Sequence, residues 1–312
     1  MLKNYKGLNM TEELILGKTE KVLEILNNTK EAMKNVKEIT PLTHCITNFV
    51  TVNDCANAAL AVGGSPIMAD DSEEVAEIVE IANVLVINIG KLSDTQVDAI
   101  RESSKHANKI GKPIVVDPVG AGISGLRNRV TKELVEDYKL AAIRGNMSEI
   151  KAIAKLINLD VTNNDGNEAA GKGVDVAESD IISKDNLDIN GLYVKELAKE
   201  LNTVIIASGP IDIISDGEYT FGLENGDEMM PLITGSGCML TTIIGSYVGA
   251  NDALIGSITA SALMAIAGEK AAEYVRANDL GTGSFRTFLI DNLYKTDAEE
   301  ISKRANLFEI NI

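Results

Sequence analysis

Tryptophan is absent from the 312-residue chain, and all aromatic residues together make up only 4%. The core must therefore be built from Ile, Val, Leu, Ala and Gly, a composition suited to buried parallel strands under close-packed helices. Cysteine is scarce as well: Cys45, Cys55 and Cys238 show no CxxC spacing, so reduced thiols rather than a disulfide framework are expected. Basic residues are few. With 29 Lys and Arg against 46 Asp and Glu, the formal charge is −17, which argues against nucleic acid because phosphate neutralisation needs clustered cations. No run of eighteen residues is apolar throughout and no signal-peptide pattern is present, so no membrane role is expected and the cytoplasm is the expected setting.

What is present is a repeated alternation. Helical periodicity over 11–36, with Thr11 as the expected N-cap, is followed by the extended piece 41–48 and a buried helix over 50–62 that stops at Gly63-Gly64. Short apolar strands then alternate with helices: strand 65–68, helix 73–82 with Asp71 and Glu74 as a variant capping box, strand 84–89, helix 95–108, strand 114–117, helix 130–138, strand 140–144 and helix 148–157. Residues 158–185 read as a long surface loop. The alternation resumes with helix 192–201 and strand 204–208, then a hairpin turning at Asp216-Gly217. A long Ala-rich helix over 253–276, a loop over 281–285 and terminal helices complete the chain. βαβ units of this kind indicate a mainly parallel sheet with helices on both faces. Nothing in the composition divides the region into two domains. The expected organisation is an N-terminal extension with a helix, 1–40, and one α/β domain, 41–312.

In open α/β sheets ligands sit beyond the carboxyl ends of the strands. Asp117, Arg144, Asn146 and Ser208 fall at such ends. The turn Thr234-Gly235-Ser236-Gly237-Cys238 opens a buried helix whose first amides suit an anion, so it reads as a phosphate seat. Asp117 and Glu149 together would suit Mg²⁺, although Asp117 could cap a loop amide and Glu149 could cap its helix. Arg144 offers a donor fork to phosphate, or is a snorkelling surface residue. Met68 is either pocket wall or core, Cys238 either a small core residue or part of the site. His44 reads as buried and hydrogen-bonded or as pocket lining, and His106 as solvated.

The segments PLTHCITNFV, GGSPIMAD, LVINIG, VVDPVGAG, LAAIRGNMSEI, KGVDV, ASGPIDIISDG, TGSGCMLT and GTGSF together resemble the hydroxyethylthiazole kinase family of thiamine salvage. The resemblance runs from about residue 41 onward. It implies a ribokinase-like α/β fold and a homotrimer with active sites between subunits. The implied reaction is ATP-dependent phosphorylation of the primary alcohol of 4-methyl-5-(2-hydroxyethyl)thiazole. By similarity of motif, Asn48, Met68 and Gly235 match thiazole-site positions, and Arg144 and Ser208 match ATP-site positions. Asp117 and Glu149 match the magnesium-associated acids. Cys238 stands where sugar kinases of this fold carry an aspartate base, and the amides over Gly235, Ser236, Gly237 and Cys238 would face the transferring phosphoryl group. Ser236, Ser208 and Thr282 depart from the more usual alanine, threonine and proline. A kinase for hydroxymethylpyrimidine or pyridoxal, an ADP-using lyase for damaged nicotinamide cofactor, and a silent nucleotide sensor are the rival readings.

Overall fold

The computed structural model describes residues 18–161 and 181–312. Strand and helix alternate as α1 (Glu20–Ile39), β1 (Leu42–Ile46), α2 (Val52–Val62), β2 (Ser65–Ile67), α3 (Val75–Ile81), β3 (Val84–Asn88), α4 (Asp94–Ile110), β4 (Ile114–Asp117), α5 (Gly125–Asp137), β5 (Ala142–Asn146) and α6 (Met147–Leu156). The second described stretch contains α7 (Leu187–Leu201), β6 (Val204–Ser208), β7 (Asp212–Ser215), β8 (Thr220–Leu223), α8 (Ser236–Val248), α9 (Ala253–Ala277), α10 (Thr282–Lys295), α11 (Ala298–Arg304) and β9 (Leu307–Glu309).

The nine strands form one sheet in the order β2-β1-β3-β4-β5-β6-β7-β8-β9. Pairings from β2 through β6 are parallel and those from β6 through β9 antiparallel. The chain passes from β1 to β2 on one side and returns to β3 on the other. Such a reversal of strand order opens a crevice at the carboxyl ends of β1 and β3.

Period-two alternation assigns the strand residues to two layers. Val84, Val86, Val115, Ala142, Val204 and Ile206 join the apolar cluster formed with α1, α2, α8 and α9. Leu85, Ile87, Ile114, Val116, Ile143 and Ile205 join the opposite cluster, with residues of α3 to α7. By the same parity Asn88, Asp117, Arg144 and Ser208 all turn toward the α8 layer. Helix α8 lies very close to the sheet at Gly245, where a Cβ would come within 2.2 Å of Val86. Helix α1 contributes Val22, Ile25, Ala32 and Val36 to this layer, all almost fully buried.

Several local expectations are corrected. Helix α1 starts at Glu20 with Thr19 as its N-cap, the Thr19 side chain accepting from the Val22 amide; the expected cap Thr11 lies outside the described residues. No capping box opens α3: its N-cap Glu74 makes no side-chain cap bond, and Asp71 accepts from the Glu73 amide instead. Helix α5 begins at Gly125, capped by Ser124, and α7 at Leu187, both earlier than their apolar periodicity indicates. The stretch expected as a loop over 281–285 is the first turn of α10, and β9 was not anticipated. The expected loop around Gly173-Val174-Asp175 lies outside the described residues. Among the described residues no helix is long and apolar enough to cross a membrane.

Candidate active site

Strand register sets the level of the site. Asn88 pairs with Asp117 and Asn146 with Ser208, all at strand ends. Asn88 is 3% and Asp117 1% exposed. The Asn88 amide nitrogen donates to Asp117 Oδ2 at 3.0 Å and to Cys238 Sγ at 3.2 Å. Its oxygen accepts from the Gly90 amide at 2.9 Å and from Asn48 Nδ2 at 3.2 Å. Asn48 Nδ2 also lies 3.5 Å from Cys238 Sγ. Thr241, one turn into α8, donates its hydroxyl to Asp117 Oδ2 at 2.8 Å. The thiol thus sits between two side-chain amides, one just after β1 and one at the end of β3, the latter also holding Asp117.

Arg144 is not a surface residue; its side chain is 15% exposed. Nε donates to Ser208 Oγ at 3.0 Å, and Nη1 lies 3.8 Å from Asp117 Oδ2. The guanidinium lies against the start of α8, where a Cβ on Gly237 would be 2.5 Å from Nη1. Gly235 is the N-cap of α8 with φ 86°, in the left-handed region that glycine occupies without strain. It offers no side-chain cap, so the first amides of α8 have neither a side-chain cap from Gly235 nor an intrahelical acceptor. Arginine, helix start and carboxyl strand ends therefore converge as the sequence indicates.

Burial pushes the Asp117 carboxyl up to about 6, against the lowering effect of Arg144 and the bonds from Thr241 and Asn88, while the charge of Glu149 adds to the rise. Its Oδ1 is buried and has no hydrogen-bond partner among the described residues. A buried carboxylate with one bare oxygen suits a cation. Glu149 is 8% exposed and closes a capping box: its carboxylate accepts from the Asn146 and Gly120 amides, each at 2.8 Å, while Asn146 Oδ1 accepts from the Glu149 amide. Among the described residues no group of three His, Cys, Asp or Glu could hold a metal. The donor set fits a hard cation that takes one or two carboxylates and otherwise water and phosphate oxygens.

Met68 is the candidate that the structure does not bring into this network. It follows edge strand β2 and packs against the α8-side apolar cluster. His44 is fully buried with Nε2 2.8 Å from the Ala69 carbonyl, and burial lowers its pKa, so a neutral, hydrogen-bonded role holds. His106 pairs with Glu80 rather than with water alone. Cys55 is buried, its thiol pushed up to about 11 by desolvation. Asn88 and Thr241 are the residues that the sequence reading passed over. Asn88 had a signal, a lone amide ending the run VLVI just as Asp117 ends IVV; Thr241 had only its helical spacing from Cys238.

A model of the hydroxyethylthiazole kinase family matches residues 33–299. The chain is 58% identical over 284 residues to hydroxyethylthiazole kinase of Methanobrevibacter smithii, spanning 91% of this chain and 97% of that protein. A solved structure of hydroxyethylthiazole kinase protein from Pyrococcus horikoshii OT3 matches with a TM-score of 0.78 and 34% identity, covering 91% of this chain and 100% of that one. A ribokinase-like superfamily protein from Enterococcus faecalis V583, 15% identical with a TM-score of 0.53 over 89% and 85% of the two chains, shares the fold. This ribokinase-like α/β chain belongs to the hydroxyethylthiazole kinase family.

Proposed function

We propose that the protein transfers the γ-phosphoryl group of ATP to the primary alcohol of 4-methyl-5-(2-hydroxyethyl)thiazole, yielding the thiazole phosphate used in thiamine salvage. The observation that carries this reading is the placement of Cys238 on the first turn of α8, bonded to Asn48 and Asn88, with Arg144 packed against the same turn. Phosphoryl transfer asks for alignment and charge neutralisation more than covalent chemistry. Arg144, steadied by Ser208, holds the phosphates from the β5–β6 side. The amides of Ser236, Gly237 and Cys238 face the charge that develops on the transferred group. Asn48, Gly235 and Met68 shape the acceptor side, and the alcohol lies in line beside the Cys238 thiol, where its proton departs late.

Asp117, whose Oδ1 is bare, and Glu149, whose oxygens accept the Gly120 and Asn146 amides, are the residues that would hold Mg²⁺. When bound, the ion neutralises phosphate charge. A cysteine rather than an aspartate at the head of α8 favours this alcohol kinase over the ADP-using lyase, and the THCITN and SPIM segments favour the thiazole over pyridoxal or hydroxymethylpyrimidine. The assembly proposed is a cytoplasmic homotrimer with shared sites.

Incubating the purified protein with ATP, Mg²⁺ and the thiazole alcohol, with mass identification of the product, tests the assignment. Phosphorylated thiazole and stoichiometric ADP are expected. Phosphorylation of pyridoxal or hydroxymethylpyrimidine in preference to the thiazole overturns the substrate, and ATP binding without turnover of any alcohol overturns the activity.

A further inference from the structure

Arg127 occupies the first turn of α5, where the helix dipole disfavours a cation and where no acidic residue accompanies it. Its guanidinium is directed instead at three backbone carbonyls on two other segments. Nη1 donates to Ile89 O at 2.8 Å and to Val119 O, and Nη2 donates to Gly90 O at 2.7 Å. We propose that Arg127 is a positioning residue for phosphoryl transfer, its planar fork fixing the loops that leave β3 and β4 relative to each other.

Those loops support the two sides of the site. On the β3 side, the Gly90 amide is held by Asn88 Oδ1, and Asn88 in turn holds Cys238 and Asp117. On the β4 side, the Gly120 amide donates to Glu149 Oε1 at 2.8 Å. Gly120 has φ 74° and lies against the Arg127 side chain, so that a Cβ there would be 3.2 Å from Arg127 Cδ and Nη1. The sheet does not fix this spacing. Its β3–β4 pairing ends at Asn88 opposite Asp117, the last backbone bond being Ile89 N to Asp117 O. Beyond that bond Arg127 spans both loops with one rigid group. A lysine keeps the charge but has no fork, so it cannot hold three carbonyls in a fixed plane.

This inference rests on the assignment of Cys238, Asp117 and Glu149 to the reaction site, and the experiment separates the two. Arg127→Lys, Arg127→Ala and Glu149→Gln are assayed side by side for kcat, KM and magnesium dependence, well below each variant's melting temperature. Misplacing reacting groups by about an ångström costs up to about 10²-fold in rate. Arg127→Lys is expected to lose about tenfold and Arg127→Ala about 10²-fold in kcat, while KM for ATP moves less than about threefold. Added methylguanidinium is expected to restore part of the Arg127→Ala rate. Wild-type kcat in Arg127→Lys, or a deficit that disappears once the assay is moved further below the melting temperature, assigns Arg127 to stability alone and overturns the proposal. If Arg127→Ala does not fold, Arg127→Lys alone decides. Full activity of Glu149→Gln, by contrast, overturns the assignment of the site and leaves the Arg127 result to be read separately.

Discussion

Asp117 meets two opposed demands, because the buried carboxylate proposed to serve a cation is also costly to the fold. A carboxyl raised from 3.8 to about 6 destabilises the metal-free protein by about 3 kcal/mol above pH 6. Between pH 4 and 6 the native state binds more protons at this site than the unfolded chain does, so its contribution to stability falls as pH rises through that window. Asp117→Asn removes the titration. Its amide oxygen can take the bonds from Asn88 and Thr241, with the amide nitrogen placed where Oδ1 has no partner. The metal-free variant is expected to melt higher than the native protein at pH 7.5, with a difference that shrinks toward pH 4, while kcat collapses. A native melting curve that exceeds the variant's at pH 7.5 contradicts the charge argument; unchanged kcat and magnesium dependence contradict the metal assignment. Cys238 makes a contrasting case. A general base contributes on the order of 10²–10⁴ in rate, but a loose transition state leaves the alcohol's proton in place until late. The α8 amides survive a side-chain change. Cys238→Ala is therefore expected to lose roughly 10–10²-fold in kcat, at the weak end of base catalysis, and Cys238→Asp to remain active. Loss of all turnover in Cys238→Ala with ATP and alcohol still binding makes the thiol indispensable, contrary to this reading.

At the scale of elements, the entry into α8 depends on two glycines for different reasons. At Gly235 a side chain would both force φ 86° on an L-residue and collide with Thr51 Cγ2 at 2.5 Å, so Gly235→Ala is expected to cost about 1 kcal/mol or more in stability. At Gly237 the colliding atom is the tip of Arg144, which can swing away. Gly237→Ala is expected to keep its melting temperature within a few degrees while kcat/KM for ATP falls about tenfold, one lost charge-assisted contact. Nucleotide titration and thermal melts separate the two cases, and a Gly237→Ala enzyme with native ATP kinetics removes Arg144 from the phosphate site. The glycines, like the strands, were legible in the sequence because each leaves a local mark. VVD before Pro118 and AIRGN before Met147 announce strand ends, and period-two parity carries their polar residues to one face. Helix starts were less legible where polar turns precede the apolar periodicity, as at Gly125 and Leu187. Thr282 was hidden by glycines that look like a loop. Strand β9 joins β8 across more than eighty residues, and no local pattern encodes such a pairing. The network at Asn88 was invisible for a related reason: its partners come from the segment after β1, from β4 and from α8, and only the topology brings them together.

At the scale of the whole molecule, Met68 packs against the α8-side cluster but stands outside the Cys238 hydrogen-bond network, and the shared-site proposal has it serve a site on another subunit. It follows β2, the three-residue strand at the parallel edge of the sheet. Near that edge the segment from the end of β1 through α2 leaves Phe49, Val50 and Leu60 exposed by 66%, 58% and 58%. In a cyclic trimer with head-to-tail interfaces each site would draw Met68 from one subunit and Cys238 from its neighbour. Co-expressing Met68→Asp with Cys238→Phe, each inactive alone, then yields mixed rings. In a random one-to-one mixture about a quarter of the interfaces combine an intact Met68 with an intact Cys238, so about a quarter of native activity is expected to return. If every site is built within one subunit, the mixed rings contain only damaged sites and no activity returns. Light scattering reads the assembly independently, and a fully active monomer removes the shared site whatever the mixing experiment gives.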